Sequence, residues 1–296
     1  MYKKNIFQRI IGPLIVIFYP YLPDAIALKL FFWNNVGYKL NMNNPRSFNE
    51  KLQWLKINDI HPEYGKLVDK IEAKKYVANK IGDKYIIPTI KEYDNVEEIE
   101  WENLPDKFVI KTNHGCGGMV ICKDKKLLYI ANAEKILRKA LKKDYYKKNR
   151  EYPYKYVKKR ILVEKYMEDE TGELRDFKFF CFDGNVFCLF VATDRGNKDE
   201  ETKFDFYDMD WNLLPFTNGH PNSGKKMDKP KNFELMKELA SKLSKGFPHL
   251  RVDFYNVNGN IYFGELTFFH WSGIVPFNPV EWDYKLGEMM QLPINE

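Results

Sequence analysis

Two acidic residues in the C-terminal part of the sequence are spaced so that they could bind a divalent cation together. Asp253 and Glu265 flank Asn258-Gly259, a dipeptide typical of tight hairpin turns. With a loop of residues 258–260, the two acids would face each other with Cβ atoms about 5 Å apart. Such carboxylates repel unless a cation lies between them, and Mg²⁺ binds carboxylates together with substrate phosphates. The alternatives are a surface hairpin with two solvated acids, or one proton shared between them.

A second segment combines a lysine with a glycine-rich loop. An apolar run ends at Lys111, and the loop that follows contains His114, Gly115, Gly117 and Gly118. Glycines let backbone N–H groups approach a phosphate closely, while the lysine adds positive charge. The loop is neither a Walker A motif nor a G-x-G-x-x-G that opens a helix. A plain glycine hairpin turn would have a similar sequence.

A third segment could receive a nucleotide base. Residues 161–167 predict an apolar strand that ends in charged residues, and Asp176 begins the next strand. Exposed backbone at the end of the first strand could contact an adenine edge, with Asp176 near the ribose hydroxyls. The alternative is a core strand whose charged ends reach solvent.

The composition excludes several classes of protein. With 30% charged and 44% hydrophobic residues among 296, wholesale disorder and collagen-like structure are excluded. The four cysteines and five histidines form neither a C-x-x-C nor an H-x-x-x-H pair, which argues against zinc and favours reduced cytoplasmic thiols. Positive charge is concentrated within residues 123–160, where 15 Lys/Arg accompany 4 Asp/Glu, an excess larger than the net charge of +6 of the whole chain. This segment predicts a solvated helical face, or steering of an acidic partner other than nucleic acid.

The first thirty residues leave three alternatives open. Lys3, Lys4 and Arg9 precede the apolar run of residues 10–19, and residues 25–27 resemble a signal-peptide cleavage site. Prolines interrupt the run, which is also too short to span a membrane. An interfacial or a packed helix is therefore expected over a signal peptide, and membrane-surface association through the N-terminus is one alternative.

These motifs must be positioned by a mixture of helices and strands. Ser47 and Glu50 predict a capping box that opens a helix. Further helices are expected at about residues 66–81, 131–148 and 232–244. Strands are expected at residues 85–87, 107–111, 119–122, 161–167, 176–182, 186–193, 204–208, 250–255 and 261–268. Because no regular βαβ alternation is present, the expected class is α+β with largely antiparallel sheets and a boundary near residue 160.

The order and spacing of the three segments resemble the ATP-grasp superfamily, and most closely its TupA-like branch of teichuronopeptide and surface-polysaccharide biosynthesis. The branch resemblance includes residues 47–54 and Gly264-Glu265-Leu266-Thr267, and it covers about residues 45–279. It implies an ATP-grasp fold in which two α+β subdomains hold the nucleotide. Residues 61–160 would carry the glycine loop and residues 161–296 the adenine strand and the Mg²⁺ site, after a helical extension of residues 1–60.

The resemblance also implies roles for single residues. Lys111 and Arg251 match catalytic positions, Lys111 as a phosphate-binding lysine and Arg251 on the developing oxyanion. The positions that match ATP contacts are Lys70, Lys111, His114, Gly115, Gly117, Gly118, Glu164, Lys165, Tyr166, Met167, Asp176, Arg195 and Lys203. The positions that match magnesium ligands are Asp253, Glu265 and Thr267.

An ATP- and Mg²⁺-dependent carboxylate–amine ligase is the activity that the resemblance implies. Such enzymes convert a carboxylate into an acyl phosphate, from which an amine then displaces phosphate. Two differences from the usual ATP-grasp pattern leave the identity of the acid and the amine open. Thr267 stands where asparagine is usual, and too few residues precede Lys70 for a full acceptor-binding domain. The acceptor pocket is therefore expected to come from His270, Trp271, Ser272 and Gly273, with an anionic glycan or an amino acid as candidate substrates.

Other function classes compete with the ligase. Asp208-Met209-Asp210 is a D-x-D triplet after an apolar strand, as in metal-dependent glycosyltransferases, although a chain of this composition would contain one by chance. A non-catalytic nucleotide-binding scaffold and a kinase on the same fold are the remaining alternatives.

Overall fold

The computed structural model describes residues 6–169, 174–194 and 201–293. The α-helices of this part are α1 Ile6–Phe18, α2 Asp24–Val36, α3 Phe48–Asn58, α4 Tyr64–Val68, α5 Glu72–Ile81, α6 Ile130–Leu141, α7 Tyr145–Asn149, α8 Phe233–Ser244 and α9 Glu281–Met289. The strands are β1 Thr89–Tyr93, β2 Phe108–Thr112, β3 Met119–Cys122, β4 Ile161–Lys165, β5 Asp176–Phe182, β6 Asn185–Thr193, β7 Lys203–Asp208, β8 Thr217–Asn218, β9 Leu250–Val257, β10 Asn260–Thr267 and β11 Phe277–Asn278.

The strands form two sheets and a short ribbon. Strand order is β1-β4-β2-β3 in the first sheet and β10-β9-β5-β6-β7 in the second, and β11 pairs with β8. Every pairing in the described part is antiparallel. The predicted α+β class with largely antiparallel sheets is therefore confirmed.

Strand β4 belongs to the first sheet and not to the second. It pairs with both β1 and β2, and its apolar residues pack with Phe108 and Leu137 of the first core. The expected boundary at residue 160 would separate this strand from its partners. Hydrogen bonding places the change of sheet after β4, because Asp176 at the start of β5 already pairs within the second sheet.

Two predicted helices are each divided into two shorter ones by an aspartate. Asp69 lies between α4 and α5, and its Oδ1 accepts a hydrogen bond from the Ile71 N–H at 2.8 Å. Asp144 caps α7 by accepting from the Lys147 N–H at 2.9 Å. Such side-chain bonds end one helix and start the next. The strand expected at residues 85–87 is also wrong, since β1 begins only at Thr89, after Pro88.

Helix α3 begins with the predicted capping box. Ser47 accepts from the Glu50 N–H, and the Glu50 carboxylate accepts in return from the Ser47 N–H. Its far partner is α9, where Asp283 accepts hydrogen bonds from both the backbone and the side chain of Asn49. Lys51 adds bonds to the carbonyls of Gly287 and Met290. Helix α3 is therefore fixed by residues more than 200 positions away in sequence.

The N-terminal extension is a pair of helices. Leu28, Phe32 and Val36 of α2 form a small core cluster with Leu40, and Ile57 of α3 packs against it. Helix α1 packs on α2. In the part of the chain that the structure describes, no helix combines the length and apolar character needed to cross a bilayer.

Candidate active site

Asp253 and Glu265 are paired across β9 and β10 as the sequence predicts, although through a different turn. The loop has two residues, 258–259, and not three, and the register then shifts by one between Phe263 and Glu265. Gly264 forms this bulge, where a Cβ would lie only 3.2 Å from the Asp253 carbonyl oxygen. The bulge restores the register that brings the two acids opposite each other.

Three cations of the chain surround these two carboxylates. Arg251 donates to both oxygens of Asp253, at 2.7 and 2.8 Å. Lys178 also contacts Asp253, while its Nζ lies 2.7 Å from an oxygen of Asp176. Lys70 places its Nζ 3.1 Å from Oε1 of Glu265. Lys178 is not among the residues predicted from the sequence, although its position two residues after Asp176 puts both on the same face of β5.

Both carboxylates of the pair remain ionised because of these cations. Burial acts to raise the pKa of Asp253, but Arg251 and Lys178 together hold that pKa below its ordinary value. For Glu265, burial again acts upward, and the charges of Lys70, Arg251 and Lys178 together outweigh it and lower the pKa. Charged carboxylates are the form in which acids bind metal ions.

The carboxylates of Asp253 and Glu265 suit a magnesium ion that is coordinated by phosphate as well as by protein. Glu265 keeps 31% of its side chain exposed, whereas Asp253 is 1% exposed and both of its oxygens contact cations. Within the described ranges, no group of three or more His, Cys, Asp or Glu residues could hold a metal. An ion here would therefore complete its shell with phosphate and water, as Mg²⁺ commonly does. The hydroxyl of Thr267 accepts from Arg251 Nη2 at 3.0 Å.

Arg251 is oriented by a neutral histidine. Its Nη1 lies 2.8 Å from Nδ1 of His270, and Nε2 of His270 lies 2.8 Å from the Asn218 Oδ1. A guanidinium only donates, so Nδ1 is the acceptor and the ring proton is on Nε2, where it donates to Asn218. Burial and then the charge of Arg251 lower the pKa of His270 well below its ordinary value. His270 is expected in the acceptor pocket, and the structure places it behind Arg251.

The glycine loop is connected to the acidic hairpin through Lys70. The same Nζ that contacts Glu265 donates to the carbonyl of Gly115 at 2.8 Å. Gly115 and Gly117 have φ of +59° and +79°, and a Cβ on Gly115 would overlap the ring of Tyr145. A Cβ on Gly118 would lie 2.6 Å from the Thr112 hydroxyl oxygen. Close packing therefore requires glycine at two positions of this loop.

His114 lies inside the loop and not on its surface. The residue is 3% exposed, and its ring makes an edge contact with Tyr145 at 5.8 Å. Burial lowers its pKa to about 4, so the ring is neutral at pH 7. Cys116 and Gly117 are exposed in this loop, and the Cys116 N–H donates to the Tyr145 hydroxyl at 2.8 Å.

Lys111 belongs to a buried triad. Its Nζ lies 2.5 Å from one carboxylate oxygen of Glu164, and the Nζ of Lys74 lies 2.5 Å from the other. Burial acts to raise the pKa of Glu164, but the two lysines hold it below its ordinary value. Glu164 is thus the counter-ion of two lysines. Sequence reasoning missed Lys74, whose only signal is its spacing of four residues from Lys70.

The remaining expected ATP contacts are distributed around this triad and along β5. Lys165 is exposed at the end of β4, and Tyr166 and Met167 are half-buried just beyond it. Asp176 is only 1% exposed and contacts Lys178. Lys203 begins β7, two strands from β5 in the second sheet. Arg195 lies outside the described residues.

The expected acceptor residues form a strained loop held by α3. Trp271, Ser272 and Gly273 have φ of +47°, +55° and +61° in succession. Gln53 Nε2 donates to the carbonyls of Ser272 and Gly273 at 2.9 and 2.8 Å. Lys56 Nζ donates to the Ser272 carbonyl and contacts its hydroxyl at 2.7 Å. Of the three loop residues, Trp271 has the most accessible side chain, at 39% exposure.

Residues 50–291 match the sequence model of the TupA-like ATPgrasp family. The chain belongs to the TupA-like ATP-grasp family, and the predicted ATP-grasp fold and family are confirmed. No curated protein matches the chain significantly in sequence.

Solved structures of several ATP-grasp ligases are similar to the chain. N5-carboxyaminoimidazole synthetase from Staphylococcus aureus has 17% identity and a TM-score of 0.39 over 68% of this chain and 44% of that one. PsnB complexed with a phosphomimetic precursor variant, Mg and ADP has 10% identity and a TM-score of 0.44 over 82% and 66%. D-alanine–D-alanine ligase from Helicobacter pylori has 14% identity and a TM-score of 0.45 over 85% and 68%. The chain thus spans less than half of the S. aureus synthetase.

Proposed function

We propose that the chain is an ATP- and Mg²⁺-dependent carboxylate–amine ligase that forms an amide through an acyl phosphate. The observation that carries this proposal is the position of Lys70, whose ammonium contacts both the glycine loop and Glu265. The Lys70 ammonium would then lie between bound phosphate at the glycine loop and magnesium at Glu265. We further propose that the enzyme acts in the cytoplasm in cell-surface polysaccharide biosynthesis.

Each part of the proposed site has a distinct task. Lys70 and Lys111 would bind ATP phosphates, and Lys178 is a third candidate because it lies between Asp176 and Asp253. Asp253 and Glu265 would hold magnesium, which supplies positive charge to the transferring phosphoryl group. Arg251 would stabilise the oxyanion that forms when the amine attacks, because preorganised donors are most effective where charge develops.

The acid and the amine are proposed only as classes. An amino acid or an anionic glycan would suit a pocket bordered by Trp271, which is the accessible residue of the strained loop. The glycosyltransferase alternative loses support, because the first aspartate of the D-x-D triplet stabilises a turn through hydrogen bonds to its backbone. Asp208 Oδ1 accepts from the N–H groups of Asp210 and Asn212, at 3.0 and 2.7 Å.

The first test is nucleotide-dependent thermal stability. Mg-ATP, Mg-ADP and UDP-sugars should be compared on the wild type, Glu265→Gln and the control Glu238→Gln, an exposed acid on α8. Mg-ATP at 100 times its Kd should stabilise the wild type by about 2.7 kcal/mol. We expect Glu265→Gln to reduce this effect, because one magnesium ligand loses its charge, and Glu238→Gln to preserve it.

Product analysis then separates the competing functions. Release of ADP and phosphate that requires both an acid and an amine supports the ligase. Phosphate transfer to an acceptor without an amine would indicate a kinase, and binding without turnover a scaffold. Stabilisation by UDP-sugars alone would overturn the proposal.

A further inference from the structure

Helix α1 packs on α2 through small and polar residues. Gln8, Gly12 and Ile15 are its buried positions. Gln8 Nε2 donates to the Trp33 carbonyl at 2.8 Å. A Cβ on Gly12 would lie 2.7 Å from the Asn34 side-chain oxygen, so glycine is what allows the two helices to approach. The inner face of α1 is thus less apolar than its outer face.

The outer face of this helix pair is a continuous apolar surface. Seven apolar side chains of α1 are between 51% and 76% exposed: Ile6, Phe7, Ile10, Leu14, Val16, Ile17 and Phe18. Tyr21, Ile26 and Leu30 extend the surface across the turn and onto α2, at 84%, 50% and 36% exposure. Helices on water-soluble proteins place the apolar stripe inward. Small and polar residues between helices with apolar residues outside are typical of helices in lipid.

A cationic rim lies beside the apolar surface. The turn between α1 and α2 is bound to the segment after α7, because Arg150 donates to the carbonyls of Tyr19 and Leu22. Lys147, Lys148 and Lys155 of that neighbourhood are exposed, as are Arg9 and Lys29 on the two helices. Three acids lie nearby: Asp24 is bound by Arg150 and Tyr146, Asp144 caps α7, and Glu151 is buried. The exposed charge around the surface is therefore mainly positive.

We propose that the α1–α2 pair is a membrane-docking element that inserts its apolar face into a bilayer containing anionic lipids. With 13 residues, α1 is about 20 Å long, shorter than a hydrocarbon core of about 30 Å, so the pair enters one leaflet without crossing the bilayer. The lysines beside it contact the headgroups. A second copy on the same surface would bring two cationic rims together, which favours lipid as the occupant. This inference is independent of nucleotide binding.

Co-sedimentation of the full chain with vesicles tests the proposal. Vesicles of phosphatidylcholine with phosphatidylglycerol should be compared with vesicles of phosphatidylcholine alone. The double variant Ile10→Glu with Ile17→Glu should lower the partition coefficient by roughly tenfold or more per residue. Each substitution removes an apolar side chain that would be buried in the bilayer. Leu127→Glu is the matched control, because Leu127 is 83% exposed on the first subdomain and should leave binding unchanged.

Charge variants test the rim separately. Lys147→Gln with Lys148→Gln should weaken binding to anionic vesicles by about fivefold per lysine. Lys225→Gln with Lys226→Gln removes the same charge elsewhere and should have little effect. Circular dichroism establishes that each variant is folded. Wild type that does not sediment with anionic vesicles overturns the proposal. Light scattering that shows dimers abolished by the isoleucine variants, without vesicle binding, overturns it in favour of a second copy.

Discussion

One carboxylate, that of Glu164, pairs with two lysines that are largely buried. Lys74 and Lys111 are 10% and 14% exposed in their side chains, and the acid between them is 5% exposed. The triad keeps one net positive charge, which makes it attractive to a phosphate without leaving either lysine unpaired. Glu164 therefore has a structural task as well as its expected place in the nucleotide site.

Glu164→Gln should be strongly destabilising. Removing one member of a buried ionic cluster leaves uncompensated charge and typically costs about 3–5 kcal/mol. Urea unfolding should show this loss in the free energy of unfolding. The control Glu168→Gln breaks an exposed pair with Lys107 and should leave the free energy of unfolding nearly unchanged, because exposed ion pairs contribute little to stability. Equal losses in the two variants would contradict the assignment.

At the scale of single residues, the sequence predicted which residues could form the site but not which residues they contact. Alternation along a hairpin predicted that Asp253 and Glu265 face each other, and the bulge at Gly264 made this pairing correct despite a shorter turn. Arg251 is two residues from Asp253, but Lys70 and Lys178 come from distant segments, so no pattern around the hairpin identified Lys178. The resemblance implies that His114 contacts ATP, but the loop sequence did not predict its burial, to which Tyr145, 31 residues later, contributes.

Helix α3 acts as the support of the strained loop at residues 271–273. Gln53 and Lys56 project from the same face of the helix and donate to carbonyls that three successive positive φ angles turn toward them. Burial lowers the pKa of Lys56 to about 8. The loop geometry therefore depends on an element that contributes no expected catalytic residue.

Gln53→Leu should release this loop while leaving the nucleotide site intact. The substitution preserves size but removes the donors to Ser272 and Gly273, so we expect about 1–3 kcal/mol of lost stability. Turnover with acid and amine should fall, while stabilisation by Mg-ATP should be retained. Asn58→Ala, at the exposed end of α3, is the control and should change neither. Loss of Mg-ATP binding in the Gln53 variant would contradict this division of tasks.

Element type was easier to predict than element boundaries. Strands β5 and β7 and helix α8 lie within one residue of their predicted limits, because each has a strong apolar pattern. Helices were predicted too long where Asp69 and Asp144 bond to nearby backbone. Strand β4 was predicted to begin the second subdomain, but it pairs within the first sheet, and no local signal indicates this because β1 and β2 are distant in sequence.

Three histidines are buried in the described part of the molecule, His114, His249 and His270, and all three are neutral at pH 7. Burial lowers the pKa of His114 to about 4 and that of His249 to about 3, and the pKa of His270 also falls well below its ordinary value. Below about pH 6.5 the unfolded chain binds protons that the folded chain excludes. Stability contributed by these residues is thus present above pH 6.5 and lost as pH falls toward 4.

His249→Asn should reduce the acid sensitivity of folding. Between pH 7 and pH 5 each excluded proton costs about 2 kcal/mol, so the variant should lose about that much less than the wild type. Urea titrations at the two pH values measure this difference. The quantity to compare is the difference in pH dependence between the variant and the wild type, because Asp283 titrates in the same range. Burial raises the pKa of Asp283 to about 6, so this residue stabilises the fold as the pH falls. His61→Asn, at an exposed site, is the control. An unchanged pH dependence in the His249 variant would contradict the prediction.

The bonds between α3 and α9 have a consequence for synthesis of the chain on the ribosome. Helix α3 emerges early, but Asp283, Gly287 and Met290, which hold Asn49 and Lys51, are translated more than 200 residues later. The strained loop therefore acquires its support only after residues 281–290 have left the exit tunnel. A nascent chain that stops before them would contain every expected site residue and still lack a formed site.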